Sequence, residues 1–385
     1  MKKQFHMLTS ILCISTLLVS CGTKSPGGNS NPGKESEKSA TEYKLEAIKP
    51  KAYSSLKGLS LEPGETISII GRHSGDSYWK EVETGAKQAV ADLNEALGYK
   101  GSNKIKLNYS SPAVRDDVNG QVNLLDQELD RSPIAIGIAT IDATACEIQF
   151  DLASENGIPI VTFDSGNDYQ HIASHISTDN LEATKTAAEE LAKSIEGAGE
   201  IVVFSQDSIS TTATTRTNGF VDFLKENYPD ISVVEVYRFD ELEKIATEIS
   251  TAEKENPIEG AEPREVADIT QEDVIEYLLK KHPDLKGVYA TNLDTTQLVA
   301  KVMKKAEMTN LKIIGFDGGK EQVKLLENGT LDGIIVQNPY GMGYAAVVAA
   351  VRVSLGLANN SFVNTGYQWV TKKNMNSKKI KPMLY

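Results

Sequence analysis

Short β-branched runs alternate with amphipathic stretches of helical length along most of this chain, and that alternation leaves few folds open. Thr66–Ile70 reads as a strand, and from Trp79 the apolar positions Val82, Ala86, Ala89, Val90, Leu93 and Leu97 step mostly by threes and fours along one helix face. Residues 105–109 form the next strand, and Val118, Val122, Leu125 and Leu129 the next helical stripe. Residues 134–138 and 158–163 are near-continuous apolar runs, as expected of strands covered on both faces. The pattern continues with strands at 201–204 and 233–236, helices at about 215–226 and 274–280, and further strands at 287–290, 312–316 and 334–336. Such β-α alternation implies parallel sheets flanked by helices. About ten strands are many for one sheet, so two α/β lobes are expected.

The amino terminus is of a different kind. Lys2 and Lys3 precede an apolar run from Met7 to Ser20, and Leu18-Val19-Ser20-Cys21 closes it. The run is short of the roughly 20 residues needed to span a bilayer. It resembles a bacterial lipoprotein signal over residues 1–20, with cleavage before Cys21, lipidation of Cys21 and tethering outside the cell. From Gly22 to about Lys44 the chain is mostly Gly, Ser, Pro, Asn, Lys and Glu, and residues 21–60 are expected to form a disordered tether. Roughly 320 residues follow Thr66, enough for two domains.

Cysteine and charge set further bounds. Cys13 leaves with the signal and Cys21 carries lipid, so Cys146 is the one thiol of the mature body; neither an intrachain disulfide framework nor a Cys-based metal cluster is available. Cys146 lies in an apolar helical stretch with Ala145, Ile148 and Leu152, and a buried thiol is expected. The formal charge of −13 becomes −15 once Lys2 and Lys3 are removed, which argues against binding nucleic acid or an anionic membrane face through charge. The five histidines show no convincing metal spacing, and His171 and His175 sit where the chain reads as a strand. No cofactor is expected. Neither a Gly-x-Ser-x-Gly elbow, a His-Glu-x-x-His pair nor a phosphate loop is present, so an enzyme is not expected.

In doubly wound sheets ligands bind beyond the carboxyl ends of the strands. The residues just past the expected strands are Asp76-Ser77-Tyr78-Trp79, Asp142, Asp164, the stretch 206–216 with Arg216, Asn292, Asp317 and Gln337. Asp, Asn, Gln and Arg can each make paired hydrogen bonds with vicinal hydroxyls. Tyr78 and Trp79 can stack on the C–H face of a sugar ring. Asp164 and Asp317 could equally be helix caps or turn residues, Asn292 a cap, Arg216 a surface residue and the aromatic pair core packing. Their convergence on one edge favours a polyol site.

At these positions the chain resembles a type I periplasmic sugar-binding protein of the ribose-binding kind, from about Thr66 to Val370. Carrying the resemblance are Asp76 to Trp79 leading to Gly85-Ala86, the run from Gly157 to Asp164, Ser177-Thr178-Asp179-Asn180, Arg216 to Phe220, Tyr289 to Asn292, Ile314 to Gly318 and Val336 to Pro339. The resemblance implies two doubly wound parallel-sheet lobes joined by a three-crossing hinge. The lobes would be 61–178 with 338–366, and 179–337 with 367–385. It implies that Tyr78 and Trp79 sandwich a sugar against an aromatic of the other lobe, Phe239 or its competitor Tyr237. Asp164, Arg216, Asn292, Asp317 and Gln337 would be polar contacts.

The chain departs from the ribose-binding pattern where Ser165 follows Asp164 in place of an arginine, where Ala139 or Thr140 replaces an amide, and where Asp76 replaces an asparagine. Ribose itself is therefore not assigned. The acidic stretch 241–273, broken by Pro257, Gly260 and Pro263, is expected to be a solvated excursion or helical extension, with a lid edge or docking surface as the sharper alternative. The resemblance implies a monomeric receptor that delivers a monosaccharide to an ABC permease. The same cleft could instead signal to a membrane histidine kinase or chemoreceptor.

Overall fold

A computed structural model describes residues 38–257 and 262–385. The expected signal, Cys21 and residues 21–37 of the expected tether lie outside the described residues, as does Gly260. The first lobe is built on β1 (Thr66–Ile70), β2 (Lys106–Ser110), β3 (Ala135–Ile138), β4 (Ile160–Phe163) and β5 (His175–Ser177). The second is built on β6 (Gly199–Ser205), β7 (Ile231–Arg238), β8 (Leu285–Ala290), β9 (Lys312–Phe316) and β10 (Gly333–Gln337). Two late strands are divided between them: β11 (Phe362–Asn364) joins the first sheet beside β5, and β12 (Tyr367–Val370) joins the second beside β10. The sheet orders are β11-β5-β4-β3-β1-β2 and β12-β10-β9-β8-β6-β7, and every pairing is parallel except β10 with β12. The chain thus passes between the sheets three times: after β5, after β10 and between β11 and β12.

Eleven α-helices accompany these strands among the described residues. They are α1 (Ala40–Glu46), α2 (Ser77–Leu97), α3 (Val118–Asp130), α4 (Glu147–Glu155), α5 (Asn180–Ser194), α6 (Thr211–Asn227), α7 (Leu242–Glu255), α8 (Gln271–Lys281), α9 (Leu293–Lys305), α10 (Lys320–Glu327) and α11 (Pro339–Ser354). No described helix is long and apolar enough to cross a membrane.

Local chemistry sets these elements. The Asp76 carboxylate accepts from the Trp79 amide and starts α2, and Gly98, in a left-handed conformation (φ +70°), ends it. Val82, Ala86, Ala89, Val90 and Leu93 form its buried stripe. Facing it is α11, buried from Pro339 to Val351, and the two helices meet at backbone distance. A Cβ on Gly85 would lie 1.9 Å from the Tyr340 carbonyl oxygen, and one on Gly343 would lie 2.0 Å from that of Val82. Glycine at both positions is what allows this approach.

Two sequence expectations need correction, and a third is narrowed. Residues 39–60 are not tether: Ser39 caps α1 through a capping box, and Ile48, Tyr53 and Leu56 are buried in the first lobe's core. Lys49 exchanges both backbone hydrogen bonds with Asn364, and the Asn338 side chain donates to the Lys44 carbonyl, so this segment is fastened to the hinge. Its apolar residues recur without a regular period, which hides them from a pattern search. The acidic stretch 241–273 takes the helical alternative and not the solvated one, with α7 running through it. Ile245, Ala246 and Ile249 of α7 are buried in the second lobe's core, and Arg264 ties Glu253 to Asp273. Finally, Cys146 is buried, but it precedes α4 instead of lying in a buried helix face; Ile148 and Leu152 point outward, while Phe150 and Ala153 face the core. Burial pushes the Cys146 thiol up to about 12, which leaves it unreactive.

Candidate ligand-binding cleft

Strand ends of both sheets converge on an interlobe cleft, which the two lobes close down to a cavity of about 50 Å³. Eight of the ten sequence-selected side chains line it: Asp76, Tyr78, Trp79, Asp164, Arg216, Asn292, Asp317 and Gln337. The remaining two do not. Ser165 is fully buried with its Oγ 3.3 Å from Thr211 Oγ1, at a lobe–lobe contact beside the cleft. Phe239 packs with the second lobe's core beside Tyr237, ring centroids 5.7 Å apart, because the chain turns at the end of β7 into the short helix that precedes α7. Asp142 is spent on its own turn, accepting from the Thr144 and Ala145 amides.

Two carboxylates face the cleft from opposite lobes, Asp164 after β4 and Asp317 after β9. Both have left-handed backbones, φ +58° and +74°, which non-glycine residues adopt only when the surroundings hold them. Asp164 accepts from the Tyr78 hydroxyl at 2.5 Å. Burial raises its pKa, and the Arg216 and Arg72 guanidinium groups oppose that shift. Asp317 Oδ1 accepts from Gln337 Nε2 at 2.8 Å and from the Tyr385 hydroxyl at 3.1 Å, while Oδ2 accepts from the Leu293 amide at the start of α9. Burial pushes Asp317 up to about 6 against the pull of Arg216.

Arg216 is the central donor. Its Nε donates to Asn180 Oδ1 at 2.8 Å and its Nη1 to the Thr291 carbonyl at 2.9 Å, with the guanidinium 3.9 Å above the Phe316 ring. Its Nη2 is buried without a hydrogen-bond partner. A buried, unpaired guanidinium nitrogen beside two carboxylates is costly unless a ligand completes it. Asn292 caps α9 and donates to Gln206 Oε1. Asp76, the α2 cap, also pairs with Arg115 at 3.1 Å. Asp76 and Asn292 are thus helix caps that also line the cleft.

The sequence reading missed the cleft's outer wall. Arg72 bridges Asp116 of its own lobe and Asp207 of the other, at 3.3 Å each, and Arg115 links Asp76 to Asp294 of the other lobe. Arg72 and His73 come just past β1, after Gly71, so the strand-end rule could have found them. Arg115 and Asp294 carry no local signal. Among the described residues no His, Cys, Asp and Glu grouping could hold a metal ion.

The arrangement offers paired acceptors, paired donors and two aromatic rings to a small polar molecule, in a cleft that the two lobes close. The model for the periplasmic binding protein domain matches residues 67–358, and the chain belongs to that family. It is a family of solute-binding proteins that act outside the cytoplasm, not of enzymes, and its relatives here are sugar-binding components of ABC transporters. The ribose import binding protein of Escherichia coli (strain K12) is 22% identical over 292 residues, covering 76% of this chain and 86% of that protein. A carbohydrate transporter solute-binding protein from Agrobacterium radiobacter, solved in complex with D-arabinose, is 28% identical with a TM-score of 0.68, covering 86% of this chain and 100% of that one. An arabinose-binding protein from Geobacillus stearothermophilus is 26% identical with a TM-score of 0.62, covering 82% and 99%.

Proposed function

We propose that this protein captures a monosaccharide, a pentose or hexose, in its interlobe cleft and delivers it to an ABC permease. It would do so as a monomer held outside the cell by lipid on Cys21. The observation that carries the reading is the unpartnered Arg216 Nη2 buried among Asp164, Asp317 and Asn292, a donor and acceptor set matched to vicinal hydroxyls. Tyr78 and Trp79 add apolar surface for the sugar's C–H face. Solved relatives that hold D-arabinose support the substrate class.

Thermal unfolding against a panel of pentoses, hexoses, sugar alcohols and nucleosides tests the reading. A ligand at about 100 times its dissociation constant adds about 2.7 kcal/mol, a rise of several degrees in midpoint. A rise with one sugar, lost in Asp164→Ala and Trp79→Ala, is expected. A rise with a nucleoside alone would reject the carbohydrate assignment. For the anchor, incorporation of labelled fatty acid that disappears in Cys21→Ala is expected.

A further inference from the structure

We infer that Tyr385, in the tail that follows β12, is a positioning residue of the ligand site and a contact through which the two lobes close. The inference rests on the sugar-binding reading above. The tail is anchored by Met375, Ile380 and Met383, all buried in the second lobe's core. Tyr385 then fastens to the Asp317 turn at two points: its amide donates to the Gly318 carbonyl at 3.0 Å and its hydroxyl to Asp317 Oδ1 at 3.1 Å. A carboxylate held in a left-handed backbone needs such outside support.

The ring does a second thing. Tyr385 packs against the apolar cores of both lobes, and its ring meets that of Tyr78 edge-on, centroids 5.9 Å apart and planes at 70°. Tyr78 belongs to the first lobe and donates to Asp164. Each lobe's cleft carboxylate is therefore held by a tyrosine hydroxyl, and the two tyrosines touch across the gap. Separation of the lobes breaks that contact. The charged and polar groups around Asp317 are Arg216 on α6, Gln337 at the end of β10, Asp164 and Tyr78 from the first lobe, and Tyr385 itself. Of these, Gln337 and Tyr385 donate directly to its carboxylate.

Two measurements on the full chain test this. In the unliganded protein, carboxyl-carbon NMR of labelled aspartates, with Asp317→Asn to assign the signal, reads the Asp317 titration. Tyr385→Phe removes one donor to the carboxylate, so its midpoint should move to higher pH; the control Tyr99→Phe, whose hydroxyl meets the Leu61 carbonyl, should not move it. Calorimetric titration with D-ribose, D-arabinose and D-galactose then compares wild type, Tyr385→Phe and Tyr385→Ala. Affinity should fall about tenfold in Tyr385→Phe, as for loss of a hydrogen bond to a charged group, and further in Tyr385→Ala, which also loses the cross-lobe contact. An unmoved Asp317 midpoint, or wild-type affinity in Tyr385→Phe, overturns the positioning role. A Tyr385→Ala no weaker than Tyr385→Phe overturns the closing role. If the wild type binds none of the three sugars, the monosaccharide reading fails, and the NMR titration alone decides whether Tyr385 positions Asp317.

Discussion

Arg72 of the first lobe and Asp207 of the second meet at 3.3 Å, with both side chains almost fully buried. Asp207 also accepts from the Ile209 and Ser210 amides, so its carboxylate is fixed before the lobes close, and closure brings the guanidinium to it. Removing one partner of a buried pair leaves an uncompensated charge at about 3–5 kcal/mol, whereas an exposed pair is worth about 1 kcal/mol or less. Arg115, in the second cross-lobe pair, is 38% exposed. Arg72→Ala should therefore weaken sugar binding at least tenfold and Arg115→Ala only about twofold, with salt dependence concentrated in the Arg115 pair. Calorimetry at low and high ionic strength checks this, and equal losses would show that burial is not what separates the two pairs.

The Asp317 carboxyl, at about 6 against an ordinary 3.8, gives binding and stability opposite responses to pH. Its folded-state pKa is raised, so between about pH 4 and 6 the folded protein holds more protons than the unfolded chain. This group's contribution to the stability of the unliganded protein accordingly falls as pH rises through that window. A sugar hydroxyl that donates to the carboxylate needs the charged form, so affinity should fall as pH drops below about 6. Titrations at pH 7.5, 6 and 5, paired with urea unfolding of wild type and Asp317→Asn, read both slopes. The substitution should flatten the stability slope between pH 4 and 6.

Gly85→Ala should be among the most damaging small substitutions, since its Cβ would fall 1.9 Å from a backbone oxygen of α11 that cannot turn aside. Forcing the helices apart should cost about 2 kcal/mol or more. Gly98→Ala meets open space and only the strain of a left-handed backbone, about 1 kcal/mol. Denaturant midpoints that rank the two the other way would contradict the close approach.

The parts legible in the sequence are those where local chemistry and topology agree. The apolar run ending at Phe163 fixes the end of β4, and a parallel-sheet strand end is where a ligand carboxylate belongs, so Asp164 could be named; the same holds for Asp317 after β9 and Gln337 at the end of β10. Arg115, Asp207 and Asp294 were not legible as a latch because their pairing exists only across two lobes, and no periodicity encodes which surface residues meet on closure. Phe239 was misplaced for a related reason: its distance from β7 is plain, but the direction of the turn that follows β7 is not. Tyr385 lies 15 residues past Val370 with no motif around it, and tertiary packing alone brings it to Asp317.

Tyr53 tests whether residues 39–60 belong to the folded body. Its ring is fully buried, with Arg352 5.3 Å from its centroid, and its hydroxyl accepts from the Asn360 amide at 2.6 Å. This places it against the end of α11 and the approach to β11, far along the chain. Truncation of a buried aromatic of this size costs about 3–5 kcal/mol. Tyr53→Ala should therefore lower the urea midpoint clearly. Tyr53→Phe, which leaves the Asn360 amide without that acceptor, should cost about 1–3 kcal/mol. A Tyr53→Ala protein as stable as wild type would mean that the segment lies loosely on the surface in solution. A large loss would make it a structural part of the hinge, since Lys49 and Lys44 of the same segment hold Asn364 and Asn338 at two of the three crossings.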